Sequence, residues 1–271
     1  MDKIGFIGTG VMGSALVKGI LNKRISAKED IFVYDTVSEK AKALANKTGV
    51  SIAYDLETIC SSCLYIFLCV KPAAFGDLLR SLGKFLCDSR VLVSIAAGIT
   101  TNTIRRIIGD RHTVIRTMPN TPLLVNEGMT IICDDGGIDE RSLDFVIKIF
   151  SSLGDTCRLP EGLMSAATAL SGSSPAYGYM FIEAMARSAQ RMGIPEKEAL
   201  RLAAKSIRGA AQMVLETKED PEKLRNDVCS PGGTTIEAIR VFNEKGLGSI
   251  VDDAMRACAR KADLLGKDSD E

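Results

Sequence analysis

The chain has 271 residues, 46% hydrophobic and 25% charged, enough to bury the core of one large domain or two smaller ones. Its 34 basic and 34 acidic residues balance, which argues against a partner held mainly by its phosphate backbone, and no nucleic acid is expected. The longest apolar run, "CLYIFLCV", is strand-sized and no basic n-region or long h-region opens the chain, so the expectation is no membrane partner and a cytoplasmic location.

Up to about residue 160, short β-branched runs alternate with helical segments. The expected strands are "KIGFIG", "IFVYD", "CLYIFLCV", "RVLVSIA", "TVIRTM", "MTIIC" and "TCRL". Alternation of this kind predicts βαβ units and a parallel sheet covered on both faces. Between the first strand and the first helix lies Gly8-Thr9-Gly10-Val11-Met12-Gly13, a G-x-G-x-x-G in the strand-to-helix context that a dinucleotide needs. There Gly8 permits the tight turn, Gly10 lets a pyrophosphate approach the main chain, and Gly13 lets helix pack on strand. The helix N-terminus adds free N–H groups and the positive end of its dipole.

The second strand ends at Asp35, 22 residues beyond Gly13, where a carboxylate accepts hydrogen bonds from a ribose diol and repels a 2′-phosphate. No arginine follows in "DTVSEK", so NADH is expected over NADPH, although Lys40 is a nearby cation. Asp35 also has a plainer reading as a turn residue or helix cap. Further punctuation falls after later strands: Val70-Lys71-Pro72, Ala96-Ala97-Gly98 and the "MPNTP" around Asn120. In an open parallel sheet such loops line one crevice outside the strands' carboxyl ends. Gly98 and its alanines are expected to leave room for a flat nicotinamide, and Asn120 to offer its amide.

The eight cysteines are mostly scattered singly, as free thiols in a reducing compartment would be. Cys60-Ser-Ser-Cys63 is read as two small residues at a helix-to-strand junction, and neither a second pair nor a nearby histidine completes a metal site. The one histidine, His112, opens an apolar strand, so histidine catalysis is not expected.

After "LPEG" the strand signal stops, and helices are predicted over 174–193, 195–217, 234–246 and on to about Leu265. The expected fold is α/β, with an N-terminal Rossmann-type dinucleotide-binding domain (residues 1–160) followed by an all-α substrate-binding and dimerisation domain (161–271). So small a helical domain would leave apolar faces exposed as a monomer, which predicts self-association through it. The tail "GKDSDE" is expected to fray. In "CSPGGTTIEAI", Thr234 and Glu237 have capping-box spacing, and Gly232 and Gly233 leave N–H groups uncovered beside a helix start. Such a loop suits one small carboxylate.

Taken together and in order, "FIGTGVMG", "VKP", "AAG", "MPNTP", "LSGSSPAY" and "CSPGGTTIEAI" resemble pyrroline-5-carboxylate reductase, from Met1 to about Leu265. The resemblance implies a Rossmann domain, a helical dimerisation domain, and dimers that assemble into larger rings such as a decamer. It also implies reduction of the cyclic imine Δ1-pyrroline-5-carboxylate to L-proline with NAD(P)H. By the same resemblance Gly233, Thr234 and Thr235 clamp the substrate carboxylate, with the Thr235 hydroxyl close to the imine nitrogen; with no histidine available, Thr235 or a water it orients is the expected proton donor. Glu161 is similar to a family residue near substrate. Asn226 and Asp227 occupy the region of a family Asp-Asn pair beside substrate and cofactor, here in reversed order. Tyr177 is a weaker candidate donor. Two rivals remain: a β-hydroxyacid dehydrogenase, whose catalytic lysine is missing from "SPAYGYMFIEAMARSAQRMG", and a non-catalytic dinucleotide sensor, which needs no second anion site.

Overall fold

The computed structural model describes residues 2–87 and 89–268. Its first half alternates strand and helix: β1 (Ile4–Ile7), α1 (Val11–Asn22), β2 (Ile31–Tyr34), α2 (Ser38–Thr48), β3 (Ser51–Ile52), α3 (Leu56–Ser62), β4 (Tyr65–Leu68), α4 (Phe75–Leu82), β5 (Val91–Ser94), α5 (Thr101–Ile108) and β6 (Thr113–Met118). Then come β7 (Gly128–Cys133), α6 (Glu140–Ser151), β8 (Gly154–Leu159) and α7 (Met164–Ala167), whose helix continues as a wide turn over Thr168–Gly172. All eight strands form one sheet in the order β3-β2-β1-β4-β5-β6-β7-β8.

Side chains alternate across that sheet. Phe6 and Phe67 stack at 4.8 Å between centroids within the core on one face, while Ile7, Ile66 and Leu68 join the core on the other. Every residue of β4 and β5 is buried, as strands covered on both sides require.

Two expectations change here. β7 runs antiparallel to β6, so the sheet is mixed. The β6–β7 connection carries only a single-turn 3-10 element over Thr121–Val125, too short for a helical crossover to a parallel neighbour. β8, reached through α6, is parallel to β7 again. The two-residue β3 carries too short a pattern to be read as a strand from sequence.

The remainder is helical: α8 (Ser174–Arg191), α9 (Glu196–Thr217), α10 (Pro221–Val228), α11 (Thr234–Glu244) and α12 (Leu247–Asp268). α10 is an addition to the expected helices; Asp220 caps it, accepting from the Glu222 and Lys223 amides, with Pro221 at its first position. α8 packs on α9 through Ala186, Ala199 and Ala203. The tail expected to fray is helical through Asp268, and its last part lies outside the described residues.

Contacts divide the chain into two units. One is the chain up to Ser173 together with its end from Arg256 onward, and the other is Ser174–Met255. This differs from the expected division at residue 160. Met164 and Ala167 pack with Ile131 and Cys133 of β7 in one apolar cluster, so the segment after β8 belongs with the sheet. Cys258, in the last part of α12, meets Ser173 at 3.2 Å.

Candidate active site

The order of strands reverses between β1 and β4, and the loops after those strands flank the crevice where ligands of such sheets bind. Gly8 has φ +98°, and a Cβ there would lie 2.4 Å from the Cys69 carbonyl oxygen. A Cβ on Gly13 would lie 2.1 Å from the Gly8 carbonyl oxygen. Both glycines therefore serve main-chain packing. A Cβ on Gly10, by contrast, would meet nothing within 4 Å, so its bareness opens outward. Gly10 is also the N-cap of α1 and places no side chain over the helix end. The amides of Val11, Met12 and Gly13 thus face a position that a pyrophosphate fits.

Asp35 sits beside this loop and is tied to it. Its Oδ2 accepts from the Thr9 amide at 2.8 Å and from the Thr9 hydroxyl at 3.0 Å, while Oδ1 accepts from the Val37 amide at 3.0 Å. Burial raises the Asp35 pKa, but the Thr9 and Val37 amides, the Thr9 hydroxyl and the nearby Lys40 charge outweigh it and hold it below the ordinary value. An ionised carboxylate offers roughly four acceptor sites, so about one remains for a ribose hydroxyl. Of the other loop residues, Lys71 is exposed, Val70, Pro72 and Ala97 are half-buried, and Ala96 is buried.

Two loop residues are used differently from expectation. The space over Gly98 is not open: a Cβ there would lie 2.7 Å from the Ala262 carbonyl oxygen and 2.8 Å from Leu265 Cβ, because the end of α12 packs on it. Asn120 is buried with both ends of its amide engaged; Nδ2 donates to the Ser171 carbonyl at 3.1 Å and Oδ1 accepts from the Met129 amide at 2.9 Å. It braces β7 against the wide turn after α7.

Glu161 is brought to Arg116 and Thr101, a pair that sequence reading did not single out. Its carboxylate accepts from Arg116 Nη1 at 3.0 Å, from the Thr101 amide at 2.8 Å and from the Thr101 hydroxyl at 2.5 Å. Arg116 is only 4% exposed, and an arginine inside the apolar strand "TVIRTM" was the available signal, since a buried cation needs an anion. Arg116 and Glu161 line a cleft of about 420 Å3 with Gly98, Thr100, Ser165 and Gly266. Cys133, Asp135 and Glu161 gather ligand-type atoms, but Arg116 already supplies the cation, and burial pushes the Cys133 thiol up to about 12.

In the helical unit, α11 begins at Thr234 with Gly233 as its N-cap, so the expected capping box does not form. Glu237 turns instead to Arg240 at 3.2 Å. The consequence is a barer helix end: the N-cap has no side chain over the first amides, and Gly232 takes the left-handed conformation with φ +71°. Gly233 is also crowded, since a Cβ there would lie 2.5 Å from Ser230 Oγ. Thr234 is exposed and Thr235 half-buried. Asn226 and Asp227 lie on α10, where the exposed Asp227 pairs with Lys223 at 3.7 Å.

Cys60 and Cys63 are fully buried, and burial pushes both thiols up to about 12, which suits packing and not thiolate chemistry. His112 is buried just ahead of β6, at that strand's amino end.

Residues 161–265 match the family described as pyrroline-5-carboxylate reductase dimerisation, and residues 3–98 match that described as NADP oxidoreductase, coenzyme F420-dependent. The chain is 40% identical to a pyrroline-5-carboxylate reductase of Escherichia coli (strain K12) and 36% identical to one of Methanosarcina acetivorans, each over 98% of both chains. Among solved structures it is similar to Plasmodium falciparum pyrroline carboxylate reductase with NADP bound, with a TM-score of 0.89 and 30% identity over 98% of each chain.

Proposed function

This chain belongs to the pyrroline-5-carboxylate reductase family, and on that premise we propose that it reduces Δ1-pyrroline-5-carboxylate to L-proline, the last step of proline biosynthesis. The observation that carries the reading is a pair of uncapped, glycine-led helix starts, Gly10–Gly13 on α1 and Gly232–Thr235 on α11. A dinucleotide and a small carboxylate each need one such end. A β-hydroxyacid dehydrogenase would need a lysine on α8, where there is none, and a sensor would not need the second cradle.

Bound reduced nicotinamide supplies the hydride. The amides of Val11, Met12 and Gly13 hold its pyrophosphate, and the loops at Val70–Pro72 and Ala96–Gly98 border its ring. Gly233, Thr234 and Thr235 hold the substrate carboxylate by main-chain N–H groups, which fixes the imine carbon for attack. The Thr235 hydroxyl, or a water it orients, gives the proton to the imine nitrogen as the carbon is reduced. Asn226 and Asp227 border substrate and cofactor, and Glu161 acts through its bonds to Arg116 and Thr101. NADH is the favoured cofactor, because ionised Asp35 repels a 2′-phosphate; NADPH is the alternative, with Lys40 as a cation whose charge acts on Asp35. The enzyme works in the cytoplasm as a dimer through its helical unit, and the dimers assemble further, a decamer being the expected ring.

Adding pyrroline-5-carboxylate to enzyme and NADH should abolish the reduced-nicotinamide absorbance, faster than with NADPH. Thr235→Ala should lower turnover roughly ten- to ten-thousandfold. No absorbance loss with either cofactor overturns the reading; near wild-type kinetics of the variant remove only Thr235.

A further inference from the structure

The contact between Gly98 and the end of α12 is close on both sides. A Cβ on Gly98 would lie 2.7 Å from the Ala262 carbonyl oxygen and 3.1 Å from the Gly266 amide nitrogen, and one on Gly266 would lie 2.5 Å from the Gly98 carbonyl oxygen. Such distances leave room for a side chain on neither residue. Gly98 also has φ +82°, so the loop cannot relieve the contact by accepting another residue there. Ala262 is 3% exposed, and Cys258 one turn earlier reaches Ser173. The helix end is thus seated in the dinucleotide-binding unit and touches the main chain of the one loop, Ala96–Gly98, that follows β5.

We infer that Gly266 is a positioning residue for the cofactor: the last turn of α12 holds the Ala96–Gly98 loop at the height at which the nicotinamide is received. The inference rests on the reading of that loop as part of the cofactor site. It assigns a role to a residue 168 positions downstream of the loop, which no motif in the sequence indicates. The sense of the effect follows from the geometry. A methyl group on Gly266 drives the Gly98 carbonyl away, which displaces the loop's main chain, or drives the helix end away, which removes the contact that holds the loop. The helical unit and its carboxylate cradle are untouched, so cofactor affinity changes while proton transfer at Thr235 does not.

Three variants test it: Gly266→Ala, a chain ended after Leu265, and Ala97→Leu as a control inside the loop. NADH affinity is read by fluorescence titration, KM and kcat by turnover, and folding by thermal melting. Gly266→Ala and the shortened chain should both raise the NADH Kd and KM by about tenfold and lower kcat as well, since a ring displaced by about 1 Å also loses its alignment for hydride transfer. A lowered melting temperature with unchanged NADH Kd in both overturns the inference, because a merely structural role would act on stability alone. Ala97→Leu separates the two layers: if it too leaves NADH binding unchanged, the loop's place in the cofactor site falls; if it weakens binding while the Gly266 variants do not, only the α12 inference falls.

Discussion

At Asp35 three internal donors, the Thr9 amide, the Thr9 hydroxyl and the Val37 amide, meet one carboxylate. The residue therefore fixes the glycine loop as well as placing a negative charge beside it. Its pKa is depressed on folding, so it adds stability above the unfolded value and loses that contribution as pH falls through the folded one. Asp35→Asn should accordingly lower the melting temperature near neutral pH, and the gap to wild type should close as pH falls below the ordinary carboxylate value of about 3.9. A gap that stays constant with pH would contradict the hydrogen-bonding account. The position of Asp35 was legible in the sequence because it follows a strand at a fixed distance from Gly13. Its three donors were not, since they depend on how the Thr9 turn folds back. Glu161 is a similar case: it was singled out for the substrate, yet it sits against Arg116, whose presence inside an apolar strand called for an anion.

At the scale of elements, the two glycine-led helix starts differ in what their glycines are for. Gly13 is packed against the Gly8 carbonyl, whereas Gly10 opens to the crevice. Gly13→Ala should destabilise the fold by about 1–3 kcal/mol through overpacking. Gly10→Ala should leave the melting temperature unchanged and weaken NADH binding by about tenfold or more, as a side chain in a phosphate cradle does. Equal losses of stability in the two variants would contradict the assignment. The αβ alternation was readable because hydrophobic periodicity reports directly on burial. The reversal of β7 was not, because strand direction is decided by the length and path of the β6–β7 connection. The capping box failed for a related reason: Thr234-x-x-Glu237 has the right spacing, but Gly233 supplies the extended N-cap one residue earlier. α10 carried a legible signal, Asp220-Pro221, that periodicity alone passed over.

At the scale of the molecule, α8, the turn after it, α9 and the start of α12 expose Tyr179, Met180, Met192, Leu215 and Ile250, each more than half accessible. Patches of this kind mark interfaces, in agreement with the match of residues 161–265 to a dimerisation family. Light scattering at micromolar concentration should give a dimer or a multiple of it; a stable monomer would contradict self-association through this unit. Both glycine-led helix starts were visible as glycine clusters, while the seat of α12's end on Gly98 was not, since that contact joins residues far apart in the chain. The most direct test of the central claim follows the hydride itself. With NADH deuterated at the transferring face of the nicotinamide C4, the enzyme should turn pyrroline-5-carboxylate into proline carrying one deuterium at C5. Proline formed without the label, or labelled cofactor left unoxidised in the presence of the imine, would contradict it.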